Sequence, residues 1–492
     1  MRWPTPSTIT LLVVVAIAWG RSDPSDDAPG GVDGDGGSSG QDGQGAESSD
    51  LPKYTDFDIN HVLITGQSNS VSNGGNPELS TEQPFGNLMF DTGVMSMQGG
   101  FDDPSNHASA RKSSCDSEGC TSYQNPKSFV PLVEGDNYYD YKVETSASGL
   151  ANQVSSLVKE KYIGKVRNLP SKHDVLVSLH GRSGNTYQCL RKGGCNYKAD
   201  YFLAFEQGMR EVTDAKAVAA SLGKSYVVRA VAAIHGESDH YSYTSGTTEF
   251  PLAGTDGTAD KIADYSDGVV EWQRDYETEI KKITGQKEPV FMFISQISGW
   301  NDSVTSKVAQ FQLDAHVKAA GKVFLIGPSY QLPIASDCLH YTNEGERRLG
   351  EYFAKAYARV IFEGQPWEPV RPKTIMRDGA VITVVFHVPK PPLAFDTELV
   401  APADNQGFTF DDGAETKITN VELTGPDTVE IMLDKAPVGA NARLRYAMNQ
   451  TPGTCIGTPQ GARGNLRDSD DTKSRNGYDL HNWAVHFDLA VP

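Results

Sequence analysis

The sequence predicts an α/β protein: a three-layer, doubly wound parallel sheet followed by a smaller all-β, sandwich-like domain. Three observations carry this prediction. Between residues 58 and 360, short runs of β-branched and aliphatic residues alternate with longer helical stretches, the signature of a parallel sheet with helices on both faces. Beyond Glu363-Gly364-Gln365-Pro366-Trp367-Glu368-Pro369 the pattern changes to short strand-like runs parted by Gly, Pro and Asp, as in an antiparallel sandwich. With 492 residues, the chain is long enough for two or three domains, each with its own core.

The elements follow in order. Residues 1–20 open with Met1-Arg2 and an apolar run from Ile9 to Ala18. This run is too short to span a bilayer comfortably and reads as a signal peptide, cleaved near Ala16-Ile17-Ala18 in an exported protein. Residues 21–50 are mostly Gly, Ser and Asp, with eight acids and one Arg, which predicts a disordered acidic linker. The α/β domain is expected over 51–363. Its strands are read at Val62–Thr65, Val175–Leu179, Ser225–Ile234, Val290–Ser295 and Lys322–Ile326, and its helices at Leu150–Lys161, Tyr201–Leu222, Ala263–Ile283 and Gly345–Ile361. The stretch 91–140 is polar and aperiodic and reads as an insertion over the cleft. Residues 364–492 form the β domain, with strands expected at Ala380–His387, Glu398–Ala401, Lys417–Leu423, Val429–Leu433, Ala442–Ala447 and Trp483–Leu489. Its acidic run Asp468-Ser469-Asp470-Asp471 reads as a solvated turn in preference to a Ca²⁺ loop, since EF-hand spacing is missing. Trp367, Tyr478 and Trp483 read as packing residues in preference to sugar platforms.

Composition narrows the function. The net charge of −19 argues against nucleic-acid binding. No dinucleotide or Walker loop and no further long apolar run occurs, so no cofactor and no membrane span in the mature chain are expected. Six Cys in an exported chain suggest disulfides. Cys115 with Cys120 and Cys189 with Cys195 each flank a Gly-containing loop. Cys338 and Cys455 remain, either bridged or as two buried thiols. Zinc is not expected, because the Cys spacing has no matching set of His.

The chemistry is concentrated in a few motifs. Gly66-Gln67-Ser68-Asn69 directly follows the apolar run Val62-Leu63-Ile64-Thr65. A Ser in a tight turn at a strand end exposes its hydroxyl beside outward-facing amides, which suits a nucleophile whose oxyanion must be held. Near the other end lies Asp337-Cys338-Leu339-His340, ahead of a helix. An Asp three residues before a His can accept from its Nδ1–H, fix the tautomer and leave Nε2 free for the Ser proton.

This order, Ser first and Asp-x-x-His last, resembles the SGNH (GDSL-like) hydrolases, and the Gly-Gln-Ser-Asn form resembles their carbohydrate-esterase branch, similar to sialate O-acetylesterases. The resemblance covers roughly residues 58–360. Glu144-Thr145 with Ser148-Gly149-Leu150-Ala151-Asn152, the block Gly181-Arg182-Ser183-Gly184-Asn185-Thr186, and Ile234-His235-Gly236-Glu237-Ser238-Asp239 match its motifs in order. The resemblance implies a Ser68–His340–Asp337 triad, with Gly184, His235, Gly236, Asp239 and Gln67 around the oxyanion and substrate. The chain departs from the pattern at His235, where many members carry Gln. A second candidate block, Gly299-Trp300-Asn301-Asp302, spells the wider superfamily's G-x-N-D, but 235–239 fits this branch better.

The implied function is a secreted serine esterase removing small acyl groups, foremost O-acetyl, from a carbohydrate through an acyl-enzyme. Two alternatives stand beside it: an enzyme of the same superfamily for longer acyl chains or polyesters, and a non-catalytic surface binder on the same scaffold. Sequence leaves the glycan and the oligomeric state open.

Overall fold

The computed structural model describes residues 51–95, 126–135, 142–195, 203–439, 441–457 and 460–492. The expected signal peptide and linker, the Cys115–Cys120 loop and most of the 91–140 insertion lie outside the described residues.

A seven-stranded sheet organises residues 59–328. Its strands are β1 (Ile59–Gly66), β2 (Leu88–Phe90), β3 (Phe129–Pro131), β4 (Val175–Leu179), β5 (Tyr226–Ile234), β6 (Phe291–Gln296) and β7 (Val323–Pro328), in the order β3-β2-β4-β1-β5-β6-β7. All neighbours pair in parallel except β2 with β3, which are antiparallel. β1 is central and every one of its residues is buried, which accounts for its near-continuous apolar run. All five expected strands form. β2 and β3 were not expected, and β3 comes from within the 91–140 stretch, so part of that insertion extends the sheet edge.

The helices are α1 (Ser146–Leu157), α2 (Tyr187–Leu190), α3 (Ala204–Ser221), α4 (Glu237–Ser245), α5 (Tyr265–Thr284), α6 (Lys307–Lys318) and α7 (Asn343–Tyr357). α1 and α7 pack against each other, while α3, α5 and α6 form a second group. Two glycines set the α1–α7 spacing. A Cβ on Gly149 would fall 2.1 Å from the Arg347 carbonyl oxygen, and one on Gly350 would fall 2.2 Å from that of Ser146. The backbones touch because neither residue has a side chain. This close approach anchors the helix whose N-terminus adjoins His340.

After a π-helical turn, Ala358–Phe362, the chain becomes all β. A four-stranded antiparallel sheet has the order β12-β13-β9-β8, from Ile418–Leu423, Thr428–Leu433, Val381–His387 and Arg371–Asp378. A three-stranded sheet has the order β11-β14-β16, from Phe408–Asp411, Arg443–Tyr446 and Phe487–Ala490. A two-stranded ladder joins β10 (Ala394–Phe395) to β15 (Leu466–Arg467). Phe386 of one main sheet lies 6.4 Å from Phe487 of the other, ring to ring.

Two expectations are corrected here. Glu398–Ala401 is not a strand: the Asp396 carboxylate accepts the N–H groups of Glu398 and Leu399, so a side chain takes donors a ladder would need. Nor is the Asp468–Asp471 run a solvated turn. Asp468 and Asp470 are buried, and Asp470 is 2.9 Å from the buried Lys355 ammonium of α7. The β region is thereby pinned to the helix. Trp367 and Trp483 are buried, and Trp367 donates to the Leu325 carbonyl. Arg348 sits 4.7 Å from the Tyr478 ring centroid. All three aromatic residues serve packing.

Candidate active site

The sequence-predicted residues gather at the carboxyl ends of β1, β4, β5 and β7, where ligands bind in open α/β sheets. β1 ends at Gly66, with φ of +138°. A Cβ there would overlap the Ile234 carbonyl oxygen at 1.9 Å, so only glycine permits the tight exit from the strand. The following residues fold into consecutive turns, with Asn73 N–H donating to the Ser68 carbonyl and Ser70 N–H to that of Gln67.

Gln67 and Ser68 are buried within this turn. The Gln67 side-chain oxygen accepts from the backbone N–H of Gly236 (3.2 Å) and Ser238 (2.9 Å). Asn69 donates to Glu237 at 3.0 Å, and Asn73 donates to the Ser183 hydroxyl at 3.1 Å. The turn carrying Ser68 is therefore tied to both the 181–186 and the 235–239 blocks. Asn69, Asn73, Ser183 and Glu237 are partners that sequence reasoning gave no role. The Asn of the Gly-Gln-Ser-Asn motif was the available signal.

His340 meets the same turn from β7. A Cβ on Gly74 would lie 3.0 Å from His340 Cβ. The ring Nδ1 is 2.6 Å from Asp337 Oδ2, while Nε2 is buried and has no hydrogen-bond partner among the described residues. The other Asp337 oxygen accepts the N–H groups of Leu339 and His340. Partial burial acts to raise the Asp337 carboxyl, but these bonds and the His340 ring outweigh it and hold the group below its ordinary value. Two residues on, Thr342 caps α7 by accepting from Gly345 N–H, which fixes the direction in which the His loop leaves the helix.

The 235–239 block behaves differently from expectation. His235 is fully buried, and its ring nitrogens contact the Tyr265 hydroxyl (2.8 Å) and the Asn185 carbonyl (3.0 Å). Burial pushes its pKa down to about 4. Both nitrogens are engaged, so it is not free to donate to an oxyanion. It braces the 181–186 block from behind. The Gly236 N–H is taken by Gln67. Asp239 accepts from Tyr187 N–H at 2.8 Å, and burial raises its carboxyl to about 7. Glu237 is likewise buried and raised to about 7 by desolvation. The rival block also has a defined place: Asn301 accepts from the Tyr241 hydroxyl, and Asp302 pairs with His240 at 2.7 Å. Residues 299–302 thus buttress the outer side of α4. Gly184 is exposed, with φ of +72°, and lines a cavity beside α4.

No protein-family model and no curated protein sequence matches the chain. Among solved structures, that of XAC1771, described as a novel carbohydrate acetylesterase from Xanthomonas citri, aligns with a TM-score of 0.51 at 13% identity, covering 87% of this chain and 80% of that one. The chain shares that acetylesterase's fold. Two smaller structures align with lower scores: a protein from Arabidopsis thaliana (TM-score 0.35, 13% identity, 62% of this chain and 100% of that one) and Est24, a carbohydrate acetylesterase from Sinorhizobium meliloti (TM-score 0.29, 10% identity, 61% and 99%). At these identities the likeness concerns the fold. Among the described residues no helix is long and apolar enough to cross a membrane, and the Cys189–Cys195 and Cys338–Cys455 disulfides are formed, which fits an oxidising, extracellular setting.

Proposed function

We propose that this chain is a secreted serine esterase that removes small acyl groups, foremost O-acetyl, from a carbohydrate. One observation carries the reading: His340 has one ring nitrogen on Asp337, keeps the other without a partner among the described residues, and packs against the turn that holds Ser68. That division of labour suits a general base whose tautomer is fixed by a carboxylate. His340 takes the Ser68 proton as Ser68 Oγ attacks the ester carbonyl. The tetrahedral oxyanion is held by the backbone N–H groups of Ser68 and Gly184. The protonated His340 then returns the proton to the departing sugar hydroxyl. Water, activated by the same imidazole, releases the acid from the acyl-enzyme. The carbohydrate preference is supported by the shared fold with XAC1771, and the secreted setting by the two disulfides.

Labelling tests the nucleophile directly. A fluorophosphonate should add one adduct to the native protein, on the peptide that contains Ser68. The adduct should vanish after Ser68→Ala and weaken strongly after His340→Ala. Stoichiometric labelling at another residue, or none, would overturn the assignment.

A further inference from the structure

Beside Gly184 a cavity of about 460 Å³ opens between the 182–188 turn, α4 and the loop 246–252, a size within the range of small-molecule sites. We propose that this cavity binds an uncharged sugar unit of the substrate, next to the ester under attack. The inference rests on the esterase reading and specifies its substrate as a neutral glycan.

Charge supplies the first argument. Among the described residues no Lys, Arg or His lines the cavity, and its two carboxyl groups are those of Asp239 and Glu249. An anionic sugar would meet the acid of Glu249, with no cation among the described lining residues to pair it. The remaining lining is dominated by hydroxyl and amide side chains, among them Thr186, Gln188 and Ser238, with aromatic surface from Tyr241. Such a mixture of donors, acceptors and flat apolar surface suits a polyol with both hydroxyl groups and C–H faces.

Thr186 supplies the second. It occupies the N-cap position of α2, yet its side chain makes no capping bond. Thr at that position ordinarily accepts from the first turn. Here the Asp239 carboxylate takes the Tyr187 N–H instead, and the Thr186 hydroxyl is released from that duty on the cavity wall.

The walls are also fixed before any ligand arrives. Phe250 stacks on Tyr243 (5.7 Å, 7°) and on Tyr187 (6.3 Å, 13°), which holds the 246–252 loop against α2 and α4. Gln67 clamps the start of α4 to the Ser68 turn through Ser238 N–H. The cavity and the candidate nucleophile are therefore parts of one rigid unit, so a sugar seated here is held in register with Ser68 at little ordering cost.

Calorimetric titration of the full protein with xylotetraose, cellotetraose and tetragalacturonate tests this. At least one neutral tetrasaccharide should bind, with Kd weakened about tenfold by Gln188→Ala and by Thr186→Val, while tetragalacturonate binds at least tenfold more weakly than the best neutral ligand. Thermal melts of both variants establish that they fold, and Thr186→Val removes no capping bond. Failure of every neutral tetrasaccharide to bind, unchanged Kd in both folded variants, or preferred binding of tetragalacturonate would overturn the proposal. Hydrolysis of p-nitrophenyl acetate by the same preparations separates the two readings: turnover without neutral-glycan binding rejects the sugar site alone, and no turnover rejects the esterase.

Discussion

Cys338 and Cys455 are joined by a disulfide across 117 residues, and the bond lands between Asp337 and His340. Cys338 has φ of +62°, a conformation disfavoured for a residue with a Cβ. The segment around Cys455 is fastened elsewhere too. Gly453 N–H donates to the Asn301 carbonyl, and Gln450 N–H to that of Val304. One C-terminal loop therefore holds both the His340 loop and the 299–304 loop that buttresses α4.

Reduction should therefore lower activity as well as stability. Closing a loop of this length contributes about 4–5 kcal/mol in the chain-entropy model, and less where strain intervenes. Treating the protein with tris(2-carboxyethyl)phosphine, at a temperature where circular dichroism stays native, should cut kcat on p-nitrophenyl acetate several-fold. A fully reduced, folded protein with unchanged kcat would show that the bridge stabilises without positioning His340.

The triad assignment predicts unequal losses. Ser68→Ala should lower kcat by on the order of 10⁶, since removing a triad nucleophile leaves only binding and oxyanion contacts. Asp337→Asn should cost less, roughly 10²–10⁴, because half of the Asp337 side chain is open to water and solvent can partly stabilise the imidazolium. Melts should be nearly unchanged in both. Loss of less than about tenfold for Ser68→Ala would remove it from the nucleophile's role.

Much of this site was legible in the sequence because its parts follow strands buried on both faces. Such strands spell themselves out, as Val62–Thr65 and Val175–Leu179 do. What stayed hidden lacked a periodic apolar pattern. α4, Glu-Ser-Asp-His-Tyr-Ser-Tyr-Thr-Ser, has no apolar stripe, and its place is set by Gln67, Asp302 and the stacked rings of Tyr243 and Phe250. β8 begins Arg-Pro-Lys and is largely exposed, so neither alternation nor burial marked it. His235 illustrates a different limit. Its motif position suggested an oxyanion donor, but the Tyr265 hydroxyl that takes one nitrogen lies 30 residues away, and no local pattern announces such a partner. The burial of Asp470 likewise depends on Lys355, more than 100 residues earlier.

Acyl length should discriminate against long chains. The cavity adjoining Gly184 is lined mostly by hydroxyl, amide and acidic side chains, and its apolar surface comes from scattered residues such as Tyr241, Phe250 and Leu252, which do not make the continuous trench a long alkyl chain would need. The kcat/KM for p-nitrophenyl acetate should exceed that for the octanoate by at least tenfold. Values rising with chain length would favour a lipase-like enzyme.

The Lys355–Asp470 pair should be costly to break from one side. Both side chains are buried, and Lys355 also contacts the Leu480 carbonyl and Asn482. Lys355→Ala strands a buried carboxylate and should destabilise by about 3–5 kcal/mol, whereas Lys355→Met with Asp470→Leu should recover much of that loss. Chemical denaturation of the three proteins measures the difference. Equal stability of wild type and Lys355→Ala would show that water replaces the ammonium.

Stability should fall as the solution is made alkaline, because several buried carboxyls resist ionisation. Glu134 is pushed up to about 8, first by burial and then by the neighbouring Glu144 carboxylate, and Glu237 and Asp239 are raised to about 7 by burial. One oxygen of Glu134 accepts from the Thr145 hydroxyl and Ser148 N–H, while the other has no partner among the described residues, as suits a protonated acid. A carboxyl with its folded pKa above its unfolded value binds its proton more tightly in the native state. Its stabilisation is full below the unfolded value, near pH 4 to 4.5, and is lost progressively as pH rises through the folded one. The melting temperature should therefore decline between pH 5 and pH 9, most steeply at pH 6 to 8.5. Glu134→Gln supplies a neutral amide of the same shape. It should leave the melt at pH 5 nearly unchanged and raise it at pH 9 by several degrees relative to wild type. Parallel declines in the two proteins would mean that Glu134 ionises in the fold as readily as in water.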